Sequence, residues 1–369
     1  MVDLRGQYLH IKDEIYAAIQ QVIDSTHFVK GQVVAAFEEH LAQYASSRFA
    51  ITCGNGTDAL QISLMALGLQ SGDEVITSPF TFVASAEVIA LLGLKPVFVD
   101  TCSDTFNIDV TKIEAAITPK TKAIIPVHLF GQCADMEAIL KIAQKHHLYI
   151  IEDACQAIGT EVTFSDGSVH QAGTMGDMGC LSFFPSKNLG CYGDGGAIFT
   201  QNETLAKKIR AIANHGMVER YHYETVGINS RLDSMQAAIL DVKLKHLPEY
   251  LASRRKAAAY YNQALAQSDK VIIPATATHT THTYHQYTLR VKAADRNRLM
   301  EKLKSAGIPS MIYYPIPLHL QKAYQYLGYR KGDFPVAETL SESVLSIPMH
   351  TELDEEQLRA IVEAVDFRC

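Results

Sequence analysis

Apolar residues Ile11, Ile15, Ile19, Val22 and Ile23 recur at three- and four-residue spacing, which predicts helix over residues 8–45. From residue 49 the period changes. Short apolar runs, Phe49–Cys53, Glu74–Phe80, Lys95–Asp100, Lys122–Leu129, Tyr149–Asp153, Cys180–Phe184 and Gly196–Thr200, alternate with helical stretches. Several are apolar at successive positions, as strands covered on both faces by helices require. The strand–helix–strand rhythm predicts an α/β fold with a mostly parallel, doubly wound sheet of seven strands. Later the pattern shifts to a long helix, Ser234–Gln267, a strand over Tyr284–Val291, a helix over Arg296–Ala306 and the apolar-aromatic run Met311–Leu318. The chain is therefore expected to divide into a large domain, residues 1–240, and a smaller α+β domain, residues 241–369.

Charge narrows the function classes. A formal net charge of -7 gives no attraction to nucleic acid or to an anionic membrane surface. No segment reaches the roughly 18 apolar residues that span a bilayer, and the charged N-terminus lacks the apolar stretch of a signal peptide. Seven cysteines are present: Cys53, Cys102, Cys133, Cys155, Cys180, Cys191 and Cys369. Their odd number, the lack of CxxC and their apolar surroundings predict free, reduced thiols in a cytoplasmic protein. His279, His282 and His285 alternate mostly with threonine, so a strand or loop there would separate the imidazoles, and no metal site is expected.

Doubly wound sheets bind ligands beyond the carboxyl ends of their strands. Three segments fall there. Gly54-Asn55-Gly56-Thr57-Asp58 follows a strand and opens a helix, a place where backbone N–H groups and the helix dipole hold an anion. It also reads as an ordinary turn or as a G-x-G-x-x-A dinucleotide fingerprint. The fingerprint wants an acid at the end of the next strand, where this chain has Thr77-Ser78-Pro79-Phe80. Asp153 ends an apolar strand; it can pair with a protonated ring nitrogen or cap a helix. Lys187 lies between the aromatic Phe183-Phe184 and a glycine-dense loop, Gly190 to Gly196, where desolvation favours the neutral amine needed for an imine. A solvated loop lysine is the plainer reading. Together the three supply an anion cradle, an acid for a ring nitrogen and a lysine for an aldehyde, the handles of pyridoxal 5'-phosphate (PLP). Phe82 adds an aromatic for the ring face.

GNGTDAL, SPFTFVASAE, PVHLFGQCADM, IEDACQA, SFFPSKNLGCYGDGGAIFT, ANHG and GINSRLDSMQAAIL together resemble the DegT-type nucleotide-sugar aminotransferases, from about residue 3 to residue 350. The resemblance implies the aspartate-aminotransferase-like fold (fold type I) and a homodimer with shared active sites. It implies Lys187 as Schiff-base lysine and proton carrier, Asp153 on the pyridinium nitrogen, Gln156 on the phenolic oxygen and Phe82 stacked on the ring. Gly56, Thr57 and Ser182 would hold the phosphate, and Asn229 would reach the phosphate of the neighbouring subunit's cofactor. The roles of Ser182, Gln156 and Asn229 come from the resemblance alone. L-Glutamate would give its amino group, leaving 2-oxoglutarate and pyridoxamine 5'-phosphate, and a UDP- or dTDP-linked keto-sugar would receive it.

FGQCAD, ERYHY, YYPIPL and SIPMH are further shared with enzymes that aminate C3 of UDP-2-acetamido-2-deoxy-3-oxo-glucuronate for bacterial surface polysaccharide such as O-antigen lipopolysaccharide. Arg231 is then a candidate clamp for the sugar carboxylate, since a guanidinium binds carboxylates with two hydrogen bonds. The resemblance implies a histidine in those enzymes where this chain has Tyr313, a departure that leaves a dTDP- or UDP-linked keto-6-deoxyhexose open. His215, His319 and Tyr324 are further candidates on the sugar side, and Glu219–Tyr223 reads as a polar loop. A PLP-dependent dehydratase and a non-catalytic nucleotide-binding or regulatory protein are the alternatives of other classes.

Overall fold

The computed structural model describes residues 1–366, so Cys369 lies outside the described residues. Seven strands form the main sheet: β1 (Phe49–Cys53), β2 (Glu74–Thr77), β3 (Lys95–Phe98), β4 (Thr121–Ile124), β5 (Tyr149–Asp153), β6 (Met178–Ser182) and β7 (Gly196–Thr200). Their spatial order is β1-β7-β6-β5-β4-β2-β3. All neighbours run parallel except at β7, which is antiparallel to both β1 and β6. This is the α/β architecture, with a mostly parallel seven-stranded sheet, that the sequence predicts.

Both faces of the sheet are covered, as the continuous apolar runs demand. On one face Leu60 and Ile62 of the helix Gly56–Leu67, Val88 of Ala84–Leu91 and Ile209 of Glu203–Ile212 pack on Ile51, Val75, Ile151 and Ile198. On the other, Phe37 and Leu41 of the helix Gln32–Ala45 meet Leu181, Ala197, Leu240 and Leu247. A second core lies around the antiparallel sheet Val271–Ile272, Tyr287–Val291 and Val344–Ile347, backed by the helices Ala293–Ser305 and Glu355–Val365. The helix Ser234–Leu265 runs through residue 240 and joins the two cores. It gives Leu247 to the first and Tyr261 to the second.

Several sequence expectations shift. Residues 8–45 are not one helix but belong to three, Leu4–His10, Lys12–Ser25 and Gln32–Ala45. The second ends where Thr26 turns left-handed (φ 56°), its N–H bonding back to the carbonyls of Val22 and Ile23. The strand expected from Tyr284 begins at Tyr287, because Tyr284 sits at φ 45°, outside the extended region. Glu219–Tyr223 lies in a small exposed ribbon, Met217–Glu219 paired with His222–Tyr223, not a bare loop.

Candidate active site

β1, β2, β4, β5 and β6 all end at one edge of the sheet, and the residues that follow them surround one cavity of about 770 Å³. The order of the sheet accounts for this: parallel neighbours place their carboxyl ends together.

At one end of the cavity the helix Gly56–Leu67 begins. Asn55 caps it, its side-chain oxygen accepting from the Asp58 N–H at 2.8 Å. A Cβ on Gly56 would lie 2.7 Å from Ser182 Cβ and 3.0 Å from Cys155 Sγ. Only glycine lets this helix start approach the end of β6. Thr57 and Ser182 line the cavity beside it, so the helix N-terminus with two hydroxyls makes an anion cradle.

Asp153 is 6% exposed and lines the cavity. Its Oδ2 accepts from Ser85 Oγ at 2.7 Å and its Oδ1 from the Cys155 N–H at 3.3 Å. Thr81 Oγ1 lies 3.2 Å from Ser85 Oγ and extends the chain of hydroxyls. No cation lies within ion-pair distance of this carboxylate among the described residues. No helix starts at Asp153 either; turns closed by Ala157 N to Ala154 O and Thr160 N to Ala157 O follow, so it caps nothing. A near-buried carboxylate with neutral partners fits a cationic ring N–H.

Lys187 lines the same cavity. Burial holds its pKa below the ordinary value, against the opposing pull of Cys155 and Asp153. Its backbone is fixed by a bond from its N–H to Phe184 O, 2.8 Å. The glycine loop beyond it is tied down by buried Lys243, whose Nζ donates to Gly190 O at 2.5 Å. Phe82 stands 53% exposed over the opening, its ring 6.4 Å from that of Tyr314. Gln156 is held by both ends of its amide: Oε1 accepts from the Phe130 N–H (2.7 Å), and Nε2 donates to Tyr314 OH (3.3 Å).

One cavity therefore brings together Gly56, Thr57, Phe82, Asp153, Gln156, Ser182, Lys187 and Tyr313. The other expected residues lie elsewhere in this chain. Asn229 is exposed, on a segment bridged to Asn214. Arg231 lines a separate cleft with Lys30 and Arg210. His215 is exposed, at φ 63°. His319 is buried against the Phe334 ring with Nε2 3.1 Å from Glu338, and Tyr324 packs its ring on Phe98. Both are core contacts outside the cavity. Of the three spaced histidines, His282 stacks on Tyr284 at 3.9 Å, and only His285 faces the cavity. Sequence reasoning missed Ser85, Tyr314 and His285. Ser85 carries no signal beyond a polar position on an apolar helix.

The cradle that only glycine permits, the carboxylate lacking a cation and the desolvated lysine fit PLP on phosphate, ring nitrogen and aldehyde. Comparison with known proteins agrees. Residues 9–366 match the DegT/DnrJ/EryC1/StrS aminotransferase family. The chain belongs to this family. Its members are PLP-dependent aminotransferases of sugar nucleotides. The chain is 48% identical to a Geobacillus stearothermophilus protein called pleiotropic regulatory protein, over 99% of this chain and 97% of the relative. It is 46% identical to the UDP-2-acetamido-2-deoxy-3-oxo-D-glucuronate aminotransferase of Pseudomonas aeruginosa, over 99% and 98%. Among solved structures, DesV of S. venezuelae in complex with a ketimine intermediate superposes with a TM-score of 0.95 at 38% identity, covering 99% of this chain and 96% of that one. This aminotransferase matches these three over nearly the full length of both chains.

Proposed function

We propose that this aminotransferase moves the amino group of L-glutamate to C3 of UDP-2-acetamido-2-deoxy-3-oxo-glucuronate, in the cytoplasm, on the way to a bacterial surface polysaccharide. The observation that carries the reaction class is the convergence of Lys187, Asp153 and the Gly56 helix start on one cavity. The sugar assignment is supported by the likeness to the Pseudomonas enzyme.

PLP supplies an aldehyde that bonds an amine and a ring that takes up the electrons of a broken C–H bond. The chain supplies the rest. Gly56, Thr57 and Ser182 would hold the phosphate. Asp153, steadied by Ser85, would keep the ring nitrogen protonated. Gln156 would give an amide N–H to the phenolic oxygen, and Phe82 would cover the ring face. Lys187 Nζ, whose charged form burial disfavours, would take the α-proton of glutamate and later return a proton on the sugar side. Binding of the nucleotide, remote from the reacting carbon, holds the sugar in place.

The active sites are shared by two copies. Asp58, Asp153 and Asp194 line the cavity, while Lys187 is its one ammonium or guanidinium among the described residues. Both substrates are anionic. Asn229 and Arg231 lie outside the cavity of their own chain, where they can serve a partner's site: Asn229 the cofactor phosphate, Arg231 the sugar carboxylate.

Tyr313, which brings no positive charge to the cavity, favours a second reading, a dTDP- or UDP-linked keto-6-deoxyhexose. A coupled assay with PLP and L-glutamate, offering the UDP-keto-uronate beside a dTDP-keto-6-deoxyhexose, tests both. Amination of the uronate alone supports the first reading; amination of the deoxyhexose alone overturns it.

A further inference from the structure

Arg254, on the helix Ser234–Leu265, is 4% exposed. No carboxylate pairs with it among the described residues. Its Nη1 donates to the carbonyls of Tyr284 (3.0 Å), His285 (3.3 Å) and Met349 (3.2 Å), and its Nε is buried without a partner. A buried cation held only by carbonyl dipoles is costly, so its field should matter to what lies beside it. The group beside it that reaches the cavity is His285.

His285 is 7% exposed and lines the cavity with Lys187. Its Nδ1 is buried without a hydrogen-bond partner. Burial, and then the positive charges of Lys187 and Arg254, hold its pKa well below the ordinary value, so the ring is neutral and carries one proton. The guanidinium bonds the His285 carbonyl, and Nδ1 is the ring nitrogen nearer the backbone. A cation on that side favours the lone pair on Nδ1 and so the proton on Nε2, which has no hydrogen-bond partner among the described residues. The cavity thus receives a neutral N–H donor backed by a buried positive charge. The segment is held in place: the Thr283 N–H bonds to Gly131 O at 2.9 Å, and Asn188, next to Lys187, donates Nδ2 to Thr283 O at 3.4 Å.

We propose that His285 Nε2–H, backed by Arg254, binds the α-carboxylate of the amino donor; the inference rests on the aminotransferase reading. Two substrates use this cavity in turn. The amino acid alone carries an anionic group one bond from the carbon whose proton Lys187 moves. The keto-sugar bears neutral ring carbons there and keeps its phosphates further away. A donor with a positive field beside Lys187 therefore suits the amino acid. It also offsets the three carboxylates, Asp58, Asp153 and Asp194, that line the cavity. His285 touches the substrate in this account, and Arg254 is a positioning residue.

The probe is glutarate, a dicarboxylate with no amino group to transfer, titrated calorimetrically into the PLP-loaded enzyme. His285→Phe keeps the ring's bulk and removes the donor. It should weaken glutarate binding and raise the KM for glutamate by roughly tenfold, the scale of one hydrogen bond to a charged group. The sugar half-reaction should stay within about twofold. His285→Gln, which keeps a neutral N–H, should recover most of the loss, and His285→Leu should match Phe if Phe fails to fold. Unchanged glutarate binding in the Phe or Leu variant overturns the inference, and so does a loss that Gln does not restore. Failure of the aminotransferase reading is seen separately, as wild-type enzyme whose bound-cofactor absorbance does not change when glutamate is added.

Discussion

Ser85 Oγ lies 2.7 Å from Asp153 Oδ2, and both groups are buried. The bond joins the helix after β2 to the end of β5, and it gives the carboxylate a hydroxyl donor. Ser85→Ala should therefore leave Asp153 able to pair with the ring nitrogen but less well fixed. The loss of one hydrogen bond to a charged group is worth about 1.5–3 kcal/mol, so kcat should fall by roughly one to two decades while the fold holds. Steady-state kinetics beside a thermal melt check this; wild-type turnover would remove Ser85 from the site.

Lys187 is the group whose charge state should be visible in stability. Its folded pKa is lowered, so between that value and the unfolded value of 10.5 the unfolded chain binds more protons. The apoenzyme should therefore gain stability as pH rises through that window and lack this contribution below it. Lys187→Met should flatten the gain and abolish transamination. Denaturant unfolding of both apo-proteins across the pH range measures it.

Gly56→Ala places a methyl group 2.7 Å from Ser182 Cβ and 3.0 Å from Cys155 Sγ. The helix start should be pushed off the end of β6 and the phosphate cradle opened. Affinity for PLP should drop by about tenfold or more, read by absorbance titration, with a destabilisation of roughly 1–3 kcal/mol typical of overpacking.

Under the proposed function Arg231 would bind the sugar across the dimer. Mixing a Lys187→Ala protein with an Arg231→Ala protein should restore activity in the hybrid, because one of its two sites keeps both residues if the sites are shared. Neither parent should turn over the UDP-keto-uronate well, with losses of roughly tenfold or more. Lack of recovery on mixing would place Arg231 in its own chain's site.

How much of this is legible before folding depends on what kind of signal each residue leaves. The seven strands show themselves because continuous apolar runs have a distinctive period, and Gly56, Asp153 and Lys187 stand at strand ends where topology concentrates ligands. Their convergence on one cavity needs the sheet order β1-β7-β6-β5-β4-β2-β3, which no local pattern encodes. His319 lies in a segment expected near the sugar, yet it is buried beside Phe334 and bonded to Glu338. His285 looked like one of three equivalent histidines, and only the left-handed turn at Tyr284 and the grip of Arg254 single it out. The helix breaks near Ile11 and Thr26 escaped notice because the apolar period runs on through both.

The helix Ser234–Leu265 carries a mechanical consequence. Because Leu247 is locked into one core and Tyr261 into the other, with no linker between them, neither body can melt without stripping the helix from its neighbour. Heat should unfold the chain in a single cooperative step, and a protease should find no hinge at residue 240 at which to release an intact C-terminal fragment.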